Sequence, residues 1–111
     1  MTKKNEKSLE EIKAEIIKSL EQRGISVKKI ILFGSRARGD SSSSSDYDFL
    51  IITERTFSIE EKREIVAGIK EVLVNLYIPS DIIIKSEEEV EYFKDKIGSV
   101  VRQALKEGIA L

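Results

Sequence analysis

The chain has 111 residues and a formal net charge of −1, which predicts one domain over residues 1–111 and does not favour strong nonspecific binding to nucleic acid. It contains no cysteine and no histidine, which excludes disulfides, thiolate metal sites and any mechanism that depends on an imidazole base. Because it has neither a signal-peptide segment nor an apolar run near the roughly 20 residues of a membrane span, we expect a soluble cytoplasmic protein.

The first predicted element is an amphipathic helix that begins after Ser8 and ends near Gly24. Ser8 and Glu11 form the Ser-x-x-Glu pattern of a capping box, and glycine commonly follows the last turn of a helix. One stripe of this helix is apolar and consists of Leu9, Ile12, Ile16, Ile17 and Leu20.

Three short apolar runs predict β-strands at residues 28–33, 47–53 and 81–85. Their nearly continuous Ile, Val and Leu content is typical of strands that are covered by helices. The first two runs are joined by a serine-rich segment, residues 41–45, which we expect to be a flexible polar connection.

Two further helices follow the second and third strands, and Ser58/Glu61 and Ser86/Glu89 supply their capping boxes. The apolar stripe of the earlier helix consists of Ile59, Ile65, Val66, Ile69, Val72, Leu73 and Leu76. The later stripe, which we expect to form one continuous helix, consists of Val90, Phe93, Ile97, Val100, Val101 and Leu105. The order α-β-β-α-β-α predicts an α+β (α/β-like) fold, a small mixed sheet with helices packed against it.

A glycine turn, Gly34-Ser35-Arg36-Ala37-Arg38-Gly39, follows the first strand. Its small residues can bring N–H groups and the Ser35 hydroxyl close to a phosphate, and Arg36 or Arg38 can neutralise phosphate charge. Because the arginines alternate, we expect only one of them to reach a ligand. The turn is not a P-loop, since Asp40 stands where that motif has lysine. An ordinary glycine turn with solvated arginines is the alternative.

Two carboxylates, Asp46 and Asp48, stand one residue apart at the start of the second strand. Residues i and i+2 of a strand point to one face, so these two side chains are expected to aim at the same point. They repel each other unless a cation lies between them, and carboxylates with phosphates are the usual environment of Mg²⁺. Asp81 can join them if the third strand lies alongside. The alternative is turn chemistry, with each carboxylate capping loop amides.

Together, the glycine turn and Ser45-Asp46-Tyr47-Asp48 resemble the signature of the polymerase-beta-like nucleotidyltransferase superfamily. That signature is a Gly-Ser turn, a loop, Asp-x-Asp and a third carboxylate on a later strand. The small size of the chain and its closing segment, residues 104–108, are similar to the minimal branch of the superfamily, known as MNT. The resemblance spans most of the chain and implies the nucleotidyltransferase fold.

The resemblance also implies roles for the site residues. Gly34 and Ser35 would hold the triphosphate of ATP, with the two arginines of the turn beside them. Asp46, Asp48 and Asp81 would be the catalytic carboxylates and would bind one or two Mg²⁺ ions. Asp81 would also help to deprotonate the attacking hydroxyl, and attack at the α-phosphorus would release pyrophosphate.

A chain of this size lacks the added domain with which larger members hold their acceptor, so the resemblance implies a partner protein. In the MNT branch the typical partner is a HEPN-family toxin, a small helical ribonuclease encoded beside it. We therefore predict an antitoxin that transfers AMP to a hydroxyl, that of a tyrosine, on such a toxin within a hetero-oligomer. Two alternatives stay open: a non-catalytic binding module with the same fold, and nucleotidyl transfer to a small molecule or an RNA end.

Overall fold

The computed structural model describes residues 8–40 and 45–111, so residues 41–44 of the predicted connection lie outside the described part. The helices are α1 (Leu9–Glu21), α2 (Ser35–Arg38), α3 (Ile59–Asn75), α4 (Glu87–Phe93) and α5 (Val100–Glu107). The strands are β1 (Val27–Phe33), β2 (Tyr47–Thr53), β3 (Ser80–Ser86) and β4 (Ile109–Ala110). Within these described ranges, none of the helices combines the length and apolarity needed to cross a membrane.

The strands form one sheet in the order β3-β2-β1-β4. Strand β2 is antiparallel to β1 and parallel to β3, and α3 supplies the crossover that a parallel pair requires. The short strand β4 pairs antiparallel with β1 on its other side. This arrangement confirms the predicted α+β class with a mixed sheet, and it leaves the outer side of β3 without a neighbouring strand in the described chain.

Helices cover both faces of the sheet, which explains why the strands are apolar along nearly their whole length. Alternate strand residues point to opposite faces, and one set packs against α1 and α3. The other set packs against α4 and α5. The first set consists of Ile30, Leu32, Phe49, Ile51, Ile82 and Ile84, and the second of Ile31, Phe33, Leu50 and Ile52.

All three predicted capping boxes are confirmed. In each, the serine hydroxyl accepts the N–H three residues later, and the glutamate at that position accepts the N–H of the serine. The boxes place the first residues of α1, α3 and α4 directly after Ser8, Ser58 and Ser86.

The prediction of one continuous helix through Val90 and Leu105 is wrong, because α4 ends at Phe93 and α5 begins at Val100. Gly98 has a positive φ of 86°, and Ser99 caps α5 by accepting the N–H of Arg102. The apolar stripe misled the prediction at Ile97, whose side chain is 90% exposed. The sequence analysis also missed the short elements α2 and β4.

Candidate active site

The strand register brings the predicted site residues to one edge of the sheet. Phe33 at the end of β1 lies opposite Asp48 in β2, and Asp48 lies beside Asp81 in β3. Because Gly34 follows Phe33 directly, the glycine turn, Asp48 and Asp81 stand in a row across three strands.

Gly34 is the point of closest approach between the turn and Asp48. It is buried, and its φ of 77° lies in the region that favours glycine. A Cβ atom built at this position would collide with the Asp48 carboxylate. The turn can therefore lie against Asp48 only because residue 34 has no side chain.

A cleft of about 610 Å³ opens in front of this row. Its polar wall is formed by Ser35, Arg38, Asp48, Lys70, Asp81 and Gln103. Its apolar wall includes Phe33, Val66, Ile82, Ile83 and Val100. The cleft thus combines hydroxyl, cationic and carboxylate groups in one concave surface, as in sites that bind charged small molecules.

Among the groups that line the cleft, the Asp48 carboxyl has a raised pKa. Partial burial raises the pKa of Asp48, and the negative charges of Asp81, Asp46 and Glu107 raise it further. Arg38 acts in the opposite direction and lowers it. The ionised form of Asp48 is therefore less favourable in the folded protein than it is for an aspartate in water.

Asp46 differs from the expectation based on strand alternation. Strand β2 begins at Tyr47, so Asp46 lies just outside it and its side chain is exposed. Asp46 is still close enough to act on the pKa of Asp48. Across residues 8–40 and 45–111, no three carboxylates stand together in a ready-made metal-ligand group. The structure pairs Asp48 with Asp81 in neighbouring strands, and Asp46 is exposed just before β2.

The two arginines of the turn have different surroundings. The Arg36 guanidinium donates to the Ser45 carbonyl oxygen at 2.8 and 3.1 Å and lies 4.2 Å from the centre of the Tyr47 ring. It secures the start of β2 and does not line the cleft. Arg38 does line the cleft. Of the two arginines, the structure therefore places only Arg38 in the lining of the cleft.

Glu107, which was not predicted as a site residue, joins α5 to the glycine turn. One oxygen, Oε2, accepts hydrogen bonds from the Gly34 N–H, Arg38 Nη1 and Gln103 Nε2, each at 3.2 Å. A signal was present in the sequence, since a carboxylate in the last turn of a helix opposes the helix dipole and calls for a compensating partner.

Lys70 was also missed. It extends from α3 into the cleft, where its Nζ lies 3.8 Å from Asp81 Oδ1. The neighbouring apolar stripe made Lys70 look like an ordinary solvated residue, and only the packing of α3 over β3 brings it to the carboxylate.

Residues 13–111 match the family described as "Nucleotidyltransferase domain". A protein of Methanocaldococcus jannaschii that bears the name "Putative protein adenylyltransferase" is 37% identical over 86 residues, which cover 77% of this chain and 78% of that protein. A toxin–antitoxin crystal structure with AMP-PNP is similar, with a TM-score of 0.58 and 21% identity over 87% of this chain and 69% of that one.

A second solved structure with a similar fold contains a tri-AMPylated Shewanella oneidensis HEPN toxin in complex with an MNT antitoxin. The TM-score is 0.52 at 19% identity, and the match covers 91% of this chain and 69% of that chain. At these identities the two solved structures establish likeness of fold.

Proposed function

This chain belongs to the nucleotidyltransferase domain family, and we propose that it transfers AMP from ATP, with Mg²⁺, to a tyrosine hydroxyl of a HEPN-type partner toxin. Membership confirms the family and the enzyme class predicted from the sequence. The 37% identical relative named for protein adenylyl transfer supports a protein acceptor. The structures named for AMP-PNP and for an AMPylated HEPN toxin support the nucleotide and the partner.

The observation that carries the proposal is the row formed by the glycine turn, Asp48 and Asp81 at one sheet edge. Nucleotidyl transfer needs groups that hold a triphosphate, next to carboxylates that can bind a cation and accept a proton. The cleft brings both kinds of group together within about 610 Å³.

The side chains present fit a magnesium ion. Mg²⁺ is usually held by one or two carboxylates together with substrate phosphates and water, so the adjacent Asp48 and Asp81 suffice without a third ligand. Burial, and then the negative charges of Asp81 and Asp46, raise the pKa of Asp48, and a bound cation would offset both effects. Asp46, which is exposed and acts electrostatically on Asp48, is the third carboxylate proposed for the ion. When bound, Mg²⁺ neutralises phosphate charge, orients in-line attack and acidifies the nucleophile.

The remaining groups of the cleft have separable tasks in this proposal. Ser35 and Arg38 contact the phosphate oxygens of ATP, and the absence of a side chain at Gly34 lets those phosphates lie against Asp48. Asp81 accepts the proton of the acceptor hydroxyl, and Lys70 beside it holds the carboxylate in an ion pair at 3.8 Å. The acceptor oxygen bonds to the α-phosphorus as the bond to the β-phosphate oxygen breaks, and pyrophosphate leaves.

The test is transfer of label from ATP carrying a labelled α-phosphate to the protein encoded by the neighbouring gene. We expect labelled partner with the wild type and a loss of at least about a hundredfold in Asp48→Asn or Asp81→Asn. The matched control is Asp95→Asn, an exposed aspartate outside the cleft, which should leave transfer unchanged.

Thermal unfolding of the same variants gives a readout that does not need transfer. Mg²⁺ with ATP should raise the melting temperature of the wild type and of Asp95→Asn by mass action, and should do so much less in Asp48→Asn. In the transfer experiment, a different result would identify a binding module. The partner would carry no label but would form a tight complex, and Asp48→Asn would leave that complex intact. Label on RNA or on a small molecule would identify another acceptor.

A further inference from the structure

A second groove lies between α3 and the outer edge of β3. It has a volume of about 570 Å³ and is lined by residues of α3 and by four consecutive residues of β3, Ile82 to Lys85. It is continuous with the active-site cleft, because Val66, Lys70 and Ile83 line both. A ligand seated in the groove would therefore lie next to the cleft.

The position of the groove matches the side from which an acceptor must approach. The sheet order places the glycine turn at the end of β1, Asp48 in β2 and Asp81 in β3. The nucleotide phosphates belong at the β1 side of this row. The side that remains open is beyond Asp81, where β3 has no neighbouring strand in the described chain.

The groove is suited to an acidic segment. Its floor is apolar, and Lys62, Arg63, Lys70 and Lys85 line it, whereas none of the described residues lining it is acidic. Lys62 and Lys70 already form ion pairs, with Glu89 and Asp81 respectively. Arg63 is exposed and has no ion pair with the described residues, and the Lys85 Nζ lies 4.8 Å from the centre of the Phe93 ring.

The same lining favours a peptide over a single-stranded nucleic acid. Binding of single strands relies on aromatic side chains that stack on bases, and the described lining contains none. The free edge of β3 instead offers main-chain N–H and C=O groups, which an extended peptide can pair with while its side chains contact the floor.

We propose that this groove, lined by α3 and by residues 82–85, binds an acidic extended segment of the acceptor protein and delivers its tyrosine to Asp81. The inference rests on the proposed function, and adds to it the route of the acceptor and the charge of the segment. Arg63 and Lys85 contact the segment, and neither belongs to the catalytic groups of the cleft.

The test uses the full chain and a fluorescent copolymer of Glu and Tyr, with binding measured by anisotropy in the absence of ATP. We expect saturable binding that weakens as salt concentration rises, and weaker binding of a Lys-Tyr copolymer. The double variant Arg63→Glu/Lys85→Glu should bind the Glu-Tyr copolymer about tenfold more weakly. Arg63→Glu alone, at an exposed position, should show a smaller loss in the same direction.

The matched control is Lys18→Glu/Lys28→Glu, which makes the same change of net charge at exposed positions outside the groove and should bind the copolymer like the wild type. The groove proposal is overturned if neither copolymer binds, if both bind equally, if the groove and control variants bind alike, or if a single-stranded oligonucleotide binds more tightly than the Glu-Tyr copolymer.

Binding of ATP with Mg²⁺ to the same samples separates this proposal from the proposed function. We expect the groove variants to bind the nucleotide like the wild type. Failure of the wild type to bind nucleotide would overturn the proposed function. Normal nucleotide binding, together with any of the four contrary copolymer results given above, would overturn only the groove proposal.

Discussion

A carboxylate in the last turn of a helix opposes the helix dipole, yet Glu107 occupies that position in α5. Residues outside α5 offset this unfavourable charge, because Glu107 Oε2 accepts hydrogen bonds from the backbone N–H of buried Gly34 and from Arg38. The Arg38 guanidinium is held on its other side by Asp40 at 3.1 Å. Glu107 therefore ties α5 to the glycine turn that lines one side of the cleft.

Removal of this carboxylate should cost stability. We expect Glu107→Ala to lower the free energy of unfolding by about 1–3 kcal/mol, because the buried Gly34 N–H loses its acceptor. Glu107→Gln keeps an acceptor oxygen and should cost less. Urea denaturation of both variants, with the exposed Glu88→Gln as control, measures the difference. Equal stability of Glu107→Ala and the wild type would contradict the assigned contact.

The raised pKa of Asp48 predicts that, without a metal ion, the free energy of unfolding falls as pH rises. A carboxylate whose pKa is raised by folding contributes stability when protonated, and loses it as pH rises through the folded-state pKa. Near neutral pH, in the presence of a chelator, Asp48→Asn should therefore be more stable than the wild type. The gain should disappear as pH falls below the ordinary aspartate value of 3.8. Denaturation curves across this range would refute the prediction if the variant were less stable at neutral pH.

At the scale of elements, the three capping boxes have different surroundings. Ser58 lies at an exposed helix start, whereas Ser86 is 1% exposed and its Oγ accepts the Thr56 hydroxyl at 2.6 Å. The glutamate of the latter box, Glu89, also binds Lys62 of α3 at 2.9 Å. The last box therefore links three segments, while the box at Ser58 acts locally.

This contrast predicts unequal costs for the same substitution. Ser58→Ala should reduce stability by about 1 kcal/mol, the usual cost of losing a cap. Ser86→Ala should reduce it by about 1 kcal/mol more, because the buried Ser86 hydroxyl also accepts the hydrogen bond of the Thr56 hydroxyl, which would be lost with the cap. Thermal or urea unfolding of the two variants measures the difference. Equal losses of stability would show that the buried contacts of Ser86 contribute nothing beyond the cap.

The division between α4 and α5 shows the limit of periodicity at this scale. An apolar stripe continues across residues 94–99, but Gly98 and Ser99 form a stop and a cap within it. The Ser99 hydroxyl also donates to the Phe93 carbonyl oxygen at 2.8 Å, which closes the turn between the helices. Local backbone chemistry prevailed over the hydrophobic pattern here, and the Gly-Ser pair was the signal that could have predicted the break.

At the scale of the whole molecule, the site is a product of strand order. The parallel pairing of β2 with β3 puts Asp81 beside Asp48, and the antiparallel pairing of β1 puts the glycine turn on the other side. Among the strands of residues 8–40 and 45–111, the same order gives β3 no neighbour on the side beyond Asp81. The glycine turn, Asp48, Asp81 and the edge of β3 thereby follow one another across the sheet, so the proposed transfer requires no rearrangement of strands.

Much of this protein follows from local sequence alone. Strand limits, the starts of α1, α3 and α4, the glycine turn and the two neighbouring aspartates are encoded by residues close together in the chain, where propensity and capping act. The pairing of Asp48 with Asp81, the exclusion of Arg36 from the cleft, and the roles of Lys70 and Glu107 depend on contacts between distant segments. Those contacts are set by packing and strand register, which side-chain patterns within one element do not specify.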